Sequence, residues 1–192
     1  GKSPRLVRLG VLVSGRGSNL QAIIDAIEAG TLSAEVAVVL SNKQNAGGLE
    51  RARKHGAPAV WLDPKPYAGR PDSREAFDKA VLEVLQKHEV DLVLLAGYMK
   101  IVTAVLVSAY ENRMMNIHPS LLPWFPGLDV QAAVPIREGD TPDTLAARIL
   151  EQEHRIYPRA IQLYAEGRLR VEGRRVSVAD AGPVATGFHN PG

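Results

Sequence analysis

The sequence of 192 residues contains no cysteine, which excludes disulfide bonds and thiolate chemistry and is consistent with a reducing compartment. It also lacks an excess of charge of either sign, since 23 Lys and Arg residues are balanced by 21 Asp and Glu, a net charge of +2. A nucleic-acid surface would need a basic excess interleaved with aromatic residues, and aromatic residues make up only 5% of the chain. We therefore expect no nucleic-acid partner.

Long apolar runs are absent as well. The opening stretch GKSPRLVRLGVLVSG is basic and then apolar, but its apolar part is short and ends in a glycine turn. This favours a buried first strand over a signal peptide, and we expect a cytoplasmic protein with no membrane partner. With 45% hydrophobic and 23% charged residues, the chain has the composition of an ordinary globular domain.

Apolar runs of strand length alternate with amphipathic helical segments over the first half of the chain. The runs are Leu9–Val13, Glu35–Leu40, Ala59–Leu62 and Asp91–Ala96, and the helical segments between them are Ser18–Ala29, Gly47–His55 and Ser73–Lys87. Because strand-helix-strand connections are right-handed, this order predicts an α/β fold with an open, doubly wound, mostly parallel sheet and helices on both faces. Ligands of such sheets bind at the carboxyl ends of the strands.

The pattern changes after Val102. A short helical segment, the strand-like RMMNIH, a proline-rich loop, the strand-like VQAAVPI and a long helix from about Asp143 to Ala165 follow. The closing GRLRVEGRRVSV predicts a hairpin that turns at Gly173. Neither an internal repeat nor a linker interrupts the chain, so we expect a single domain over residues 1–192.

The stretch SGRGSNLQ joins the first strand to the first helix, where backbone N–H groups and the helix dipole form an anion site. Gly15 and Gly17 allow a tight turn, and Ser18 with Gln21 forms a capping-box pattern at the helix start. The spacing G-x-G-x-x-L departs from the dinucleotide motif, no Gly-Lys-Ser/Thr follows, and Asn42 stands where an NAD site would carry an acidic residue. Phosphate binding is the favoured interpretation, and a purely structural turn is the alternative.

The stretch MMNIHP places a carboxamide and an imidazole at the predicted end of a strand. Alternating strand geometry directs Asn116 and His118 to the same face, and Pro119 keeps His118 extended. Such donors are worth roughly 3 kcal/mol each to an oxyanion, which suits acyl-type transfer. A core histidine beside a turn asparagine is the alternative. Ser120 lacks the Gly-x-Ser-x-Gly context of a nucleophile, and the five histidines are scattered without metal-ligand spacing, so we expect no metal.

Six stretches resemble the phosphoribosylglycinamide formyltransferase family, in order and over nearly the whole chain: VLVSGRGSNLQAIIDA, SNK, DSREAFD, LAGYMKIV, NIHPSLLPWFPG and EQEHRIYP. The resemblance implies a Rossmann-like formyltransferase fold and an enzyme of purine biosynthesis. The implied reaction transfers a formyl group from the cosubstrate 10-formyltetrahydrofolate to the amino group of glycinamide ribonucleotide. It also implies a nucleotide-binding half of about 6–102, a folate-binding and catalytic half of about 103–180, and a monomer or homodimer.

By position, the resemblance implies a role for each matching residue. The implied phosphate-binding residues are Arg16, Gly17, Ser18 and Asn19, and the implied folate-binding residues are Arg74, Met99, Lys100, Ile101 and Val102. Lys100 stands where many relatives have arginine, which keeps the charge but loses the planar guanidinium. Glu153 would reach the ribose or the glycinamide of the substrate, with a solvated helix face as the alternative. Asn116 and protonated His118 would stabilise the oxyanion while the amine attacks the formyl carbon.

Between Asp129 and Val130 the sequence is roughly thirty residues shorter than the family pattern, and the missing stretch would carry the aspartate of a D-x-G-P motif. We expect the natural chain to contain this segment, because its loss would expose core and leave His118 without its carboxylate. A true deletion would instead make the chain a non-catalytic nucleotide-binding relative. Formyltetrahydrofolate deformylase and methionyl-tRNA formyltransferase are further alternatives, but each would call for an additional domain.

Overall fold

The computed structural model describes residues 6–117, 138–144, 147, 151, 154, 158, 161–162, 164–167, 169–172 and 175–178. Its central feature is a five-stranded sheet in the order β3-β2-β1-β4-β5, and all of its strand pairs are parallel. The strands are β1 (Val7–Val13), β2 (Ala34–Ser41), β3 (Ala59–Trp61), β4 (Leu92–Ala96) and β5 (Met114–Ile117). The helices are α1 (Ser18–Glu28), α2 (Gly47–His55), α3 (Ser73–Lys87) and α4 (Ala104–Ala109), with a 3-10 turn at Lys65–Tyr67. Along the chain, β2 and β3 are added on one side of β1, and β4 and β5 are then added on its other side. This change of side makes the fold doubly wound.

Helices cover both faces of the sheet. The side chains of α1 and α2 pack with one set of strand residues, and those of α3 and α4 pack with the other set. Along β1, for example, Val11 belongs to the first layer and Leu12 to the second, and both are completely buried. The inner strands are therefore aliphatic at almost every position, because a parallel sheet between two helical layers has no solvent face. Each such side chain contributes about 1.5–3 kcal/mol by burial.

The doubly wound α/β fold expected from the sequence is confirmed. The strands and helices predicted in the first half of the chain all form, with bounds within two residues of those expected. The predicted hairpin also forms, from β6 (Leu169–Glu172) and β7 (Arg175–Val178), which pair antiparallel. The predicted strand VQAAVPI and Gly173 lie outside the described residues.

Described positions within the expected helix of about 143–165 are helical, at 143–144, 147, 151, 154, 158, 161–162 and 164–165. In the described part of the chain, no helix combines the length and the hydropathy that a bilayer crossing requires.

The start of α2 packs directly on the glycine turn, defined here as residues 14–17, which joins β1 to α1. The backbone N–H of Gly48 donates a hydrogen bond to the carbonyl of Gly15 at 3.0 Å. A Cβ atom on Gly17 would lie only 2.6 Å from the Cα of Gly48. Gly17 also has a φ of 75°, in the left-handed region that favours glycine. Position 17 therefore requires glycine for two independent reasons, conformation and contact.

Replacing Gly17 with alanine should destabilise the protein more than replacing Gly30. Gly30 has nearly the same φ, 76°, but a Cβ atom at that position would have no neighbouring atom within 4 Å. Gly30→Ala should therefore cost only the left-handed strain, about 1–2 kcal/mol. Gly17→Ala should cost about 1–3 kcal/mol more than that, because backbone atoms must shift. Urea unfolding of both variants measures the difference, and equal midpoints would show that α2 does not constrain the turn.

Candidate active site

Three chain segments meet at the carboxyl edge of the sheet. They are the glycine turn after β1, the 42–46 loop after β2, and the 97–103 loop after β4. They lie side by side because β2, β1 and β4 are neighbours in the sheet. The end of β5 is next in line, since Ile117 pairs with Ala96. In doubly wound folds this edge, beside the point where the strand order reverses, is where ligands bind.

The glycine turn presents the start of α1 to this edge. Gly17 is the N-cap, and within the described chain no side chain caps the helix and no acidic residue lies in its first turn. The first N–H groups of a helix have no partner inside the helix and carry partial positive charge. Arg51 supports the turn from α2, because its Nε donates to the carbonyl of Arg16 at 2.7 Å. The geometry suits a phosphate group.

The capping box predicted for Ser18 and Gln21 was wrong. Gly17 is the N-cap instead, and the backbone N–H of Gln21 donates to its carbonyl at 2.8 Å as an ordinary helical bond. The left-handed Gly17 turns the chain into the helix one residue early, so Ser18 occupies the first helical position. The side chain of Gln21 donates to Asp25 at 2.8 Å and accepts from Arg51 at 3.2 Å.

Two open cavities flank the glycine turn. The first, of about 420 Å³, is lined by Ser14, Gly15, Arg16, Lys43 and residues 44–47. The second, of about 460 Å³, is lined by Ser18, Gln21, Ala22, Asp25, Arg51 and His154. Each cavity is lined by an arginine, which favours a negatively charged ligand, although the carboxylate residue Asp25 also lines the second cavity.

Two polar side chains beside the turn have buried atoms without partners among the described residues. These atoms are Asn19 Oδ1 and His154 Nε2. Burial lowers the pKa of the His154 imidazole, although the carboxylate of Asp25 acts in the opposite direction. His154 is therefore mostly neutral at pH 7 and adds a polar but uncharged group to the second cavity.

The 97–103 loop is fixed to the rest of the protein at both ends. Near its start, the N–H of Met99 donates to Ser14 Oγ at 2.8 Å, and the N–H of Ser14 donates to the carbonyl of Gly97 at 3.1 Å. At its end, Thr103 donates through its backbone N–H and its hydroxyl to one oxygen of Asp78, at 2.6 and 2.7 Å. The loop backbone is thereby held while the side chains of Met99 and Ile101 remain largely exposed.

Apolar side chains of this loop are exposed at the carboxyl edge. Met99 is 76% exposed and Ile101 is 63% exposed. Between them, the ammonium of Lys100 lies 4.4 Å from the centre of the Phe77 ring, a cation–π contact with α3. Large exposed apolar side chains on a fixed backbone indicate a contact surface for an apolar group of a ligand.

Asp78 connects α3 to the loop from inside the protein. Asp78 is only 1% exposed, and its Oδ2 accepts both hydrogen bonds from Thr103.

The hydroxyl of Tyr98 in the same loop is buried. Burial, and to a smaller extent the charge of Asp78, raises the pKa of the Tyr98 hydroxyl far above its ordinary value. Tyr98 therefore stays protonated at all physiological pH values, and no described residue pairs with its hydroxyl.

The structure gathers most of the predicted site residues at this edge. Arg16–Asn19 form the end of the glycine turn and the start of α1, and Met99–Val102 lie in the 97–103 loop. Arg74 is the second residue of α3, one turn before Phe77 and Asp78. The backbone of Asn116 pairs in register with Leu95 of β4. The side chain of Asn116, and all of His118, Ser120 and Glu153, lie outside the described residues.

Sequence reasoning missed the residues that hold the site in place, namely Ser14, Arg51 and Asp78. Asp78 had a detectable signal, because it is a lone carboxylate on the otherwise apolar face of α3 that includes Phe77 and Val81. Arg51 and Ser14 had none, since their partners lie on other elements and depend on how α2 and β4 pack against the glycine turn.

Comparisons with known proteins agree on one family. The formyl transferase family model matches residues 7–131. Phosphoribosylglycinamide formyltransferase of Escherichia coli (strain K12) is 40% identical over 191 residues, covering 84% of this chain and 88% of that protein. The trifunctional purine biosynthetic protein adenosine-3 of Bos taurus is 38% identical over 198 residues, covering 88% of this chain but 19% of that longer protein.

Solved structures give the same result. The crystal structure of glycinamide ribonucleotide transformylase 1 from Symbiobacterium toebii superimposes with a TM-score of 0.79 and 47% sequence identity, covering 91% of this chain and 95% of that chain. The strand order, the glycine turn at the carboxyl edge and these similarities lead to a single conclusion. The chain belongs to the formyl transferase family.

Proposed function

We propose that this chain transfers the formyl group of 10-formyltetrahydrofolate to the amino group of glycinamide ribonucleotide, a step of purine biosynthesis. One observation carries the proposal. In a member of the formyl transferase family, an anion-binding helix start and an exposed apolar loop lie next to each other at the carboxyl edge of the sheet. Relatives named for this reaction match nearly the whole chain.

The ribonucleotide phosphate binds at the start of α1 in this proposal. Arg16, Gly17, Ser18 and Asn19 surround the site, and the helix supplies backbone N–H donors and partial positive charge. The guanidinium groups of Arg16 and Arg51, on its two sides, favour a dianion.

The folate binds against the 97–103 loop. Met99, Ile101 and Val102 offer apolar contacts to the pterin, and two of them are largely exposed for that purpose. The ammonium of Lys100 lies over the Phe77 ring, so the Lys100 side chain is directed towards α3. Arg74, one turn before Phe77 on α3, is exposed and suits the negatively charged end of a folate.

The reaction takes place between these two sites, next to the end of β5. The amine nitrogen of the ribonucleotide attacks the formyl carbon, and the carbonyl oxygen becomes negatively charged. Asn116 and His118 donate hydrogen bonds to that oxygen. The bond from the formyl carbon to folate N10 then breaks, N10 takes up a proton, and the amine loses one. Holding both substrates along one sheet edge removes much of the entropic barrier of a two-substrate reaction.

Several further features belong to the proposal. Glu153 contacts the ribose or the glycinamide, and the protein is a cytoplasmic monomer or homodimer. The formyl group moves between two nitrogens without a change of oxidation state, so the reaction as proposed uses neither a redox cofactor nor a metal. The net charge of +2 supports a small anionic substrate more than a nucleic acid.

The proposed reaction is tested directly by its dependence on both substrates. The purified protein should consume 10-formyltetrahydrofolate, followed by the absorbance of the product tetrahydrofolate, only when glycinamide ribonucleotide is present. The acceptor dependence follows because the amine is the nucleophile. Consumption at the same rate without ribonucleotide would indicate hydrolysis, and no consumption in either case would refute formyl transfer.

Replacing His118 with alanine should reduce kcat by about 10²–10³-fold, the usual cost of losing one oxyanion donor. Binding of glycinamide ribonucleotide, measured by calorimetry, should change little because the phosphate site is on α1. His55→Ala is the matched control, since His55 lies at the end of α2 and pairs with Glu28 at 2.8 Å. An unchanged kcat in the His118 variant would remove this residue from the mechanism.

The segment between Asp129 and Val130 gives another expectation. The Escherichia coli relative aligns over 191 residues while using only 84% of this chain, which supports a stretch of that protein without a counterpart here. We propose that the natural chain carries roughly thirty residues at this point, several average elements' worth. Peptide mapping of the protein from its natural source should find no peptide in which Asp129 is joined directly to Val130. Such a peptide would establish a true deletion.

A further inference from the structure

We propose that Ser14 is a positioning residue for the formyl donor, because its hydroxyl links the 97–103 loop to the buried Asn42. The identity of the ligand rests on the proposed function, in which this loop binds the folate. Ser14 itself touches neither reacting group in this proposal. Its effect passes through Met99, the first residue of the loop with a largely exposed side chain.

The direction of both hydrogen bonds follows from their chemistry. A backbone N–H can only donate, so Ser14 Oγ accepts from Met99 at 2.8 Å. The hydroxyl proton of Ser14 is then directed to Asn42 Oδ1, at 2.6 Å. Asn42 is only 8% exposed, which limits the competition of water for that acceptor. The hydroxyl of Ser14 is therefore held in one orientation by a partner on the loop after β2 while it holds a partner on the loop after β4.

These two hydrogen bonds, from Met99 to Ser14 and from Ser14 to Asn42, are called the Ser14 relay. The relay fixes the part of the loop that the formyl donor would contact. The side chain of Met99 is 76% exposed and makes the surface, whereas its backbone N–H is bound to Ser14. The next anchor along the backbone is Thr103, bound to Asp78. Without the Ser14 hydroxyl, the loop would lose its anchor at Met99, and the donor would have to order it on binding. That cost appears in the affinity for the donor.

Although Ser14 lines the first cavity, the proposed phosphate-binding residues 16–19 are held by contacts other than its hydroxyl. The glycine turn is supported by the N–H of Gly48, which donates to Gly15 at 3.0 Å, and by Arg51, which donates to Arg16 at 2.7 Å. The bond between Ser14 N–H and the carbonyl of Gly97 is a backbone bond and survives substitution of the side chain. Loss of the hydroxyl should therefore affect one substrate and spare the other.

Steady-state kinetics of Ser14→Ala in the full chain test the inference. The KM for 10-formyltetrahydrofolate should rise about three- to tenfold, the equivalent of one net hydrogen bond. The KM for glycinamide ribonucleotide and the kcat at saturating donor should stay within about twofold, because the occupied loop has the same geometry once the donor is bound. A purely structural role would lower stability without this separation of the two KM values.

Two further variants control for general destabilisation and for misfolding. Tyr110→Phe removes another buried hydroxyl, which donates to the carbonyl of Val90 at 3.2 Å at the opposite edge of the sheet, and should leave both KM values unchanged. Asn42→Ala breaks the far end of the relay and keeps the Ser14 hydroxyl, so it should raise the donor KM in the same direction. The double variant Ser14→Ala/Asn42→Ala should be no worse than Ser14→Ala within about twofold, because both changes break one relay.

Several results would overturn the inference. The first is an unchanged KM for the formyl donor in Ser14→Ala or, if that variant does not fold, in Asn42→Ala. The second is an equal increase in the KM values for both substrates. The third is the same increase in the donor KM in Tyr110→Phe. Failure of the proposed function looks different, since the wild-type protein would then not transfer formyl groups at all. In that case calorimetry would measure the affinity of tetrahydrofolate, which carries no formyl group, for the wild-type protein and for Ser14→Ala. Equal affinities would overturn the positioning role of Ser14.

Discussion

Parallel pairing of β1 with β2 on one side and β4 on the other is the constraint on which the site depends. It brings the carboxyl ends of three strands to one edge, so the glycine turn, the 42–46 loop and the 97–103 loop become neighbours although the sequence separates them widely. The pairing is stabilised by strands that are buried on both faces, because α1 and α2 cover one side and α3 and α4 the other. A site formed in this way inherits the rigidity of the core.

Short polar contacts then fix the loops on that rigid support. Ser14 connects the first loop to the other two, with hydrogen bonds of 2.6 and 2.8 Å, and the buried Asp78 holds the far end of the 97–103 loop. Arg51 and Gly48 hold the glycine turn from α2. Buried polar groups are costly unless they are paired, so such contacts favour one arrangement of the loops over alternatives. The binding surfaces can remain exposed because the backbone beneath them is fixed.

The two halves of the proposed reaction use different physics at the same edge. In the proposed function, phosphate would bind through the N–H groups and dipole of α1, the left-handed Gly17 and the nearby arginines. In the proposed function, folate would bind through apolar surface, chiefly the exposed side chains of Met99 and Ile101. Because the two sites are supported by separate contacts, substitutions can affect the two substrates independently, while the distance between the sites is set by the spacing of neighbouring strands.

The sequence by itself determined the order and type of the elements, since strand and helix periodicity is a local property: the expected strands and helices of the first half form within two residues of their predicted bounds. Motif resemblance indicated the family that the comparisons confirm. Anion binding at the glycine turn, expected from the residues, and folate binding at the loop after β4, implied by the resemblance, stay predictions. The capping box predicted at Ser18 was wrong because the left-handed φ of Gly17, stabilised by contact with α2, moves the helix start by one residue.

Only the tertiary structure decided which side chains support the site. Ser14, Asp78 and Arg51 bind partners that lie 85, 25 and 35 positions away in the sequence. Such contacts depend on how the elements pack. The local sequence marks only Asp78, as a lone carboxylate on an apolar helix face, and it does not identify the partner of that carboxylate.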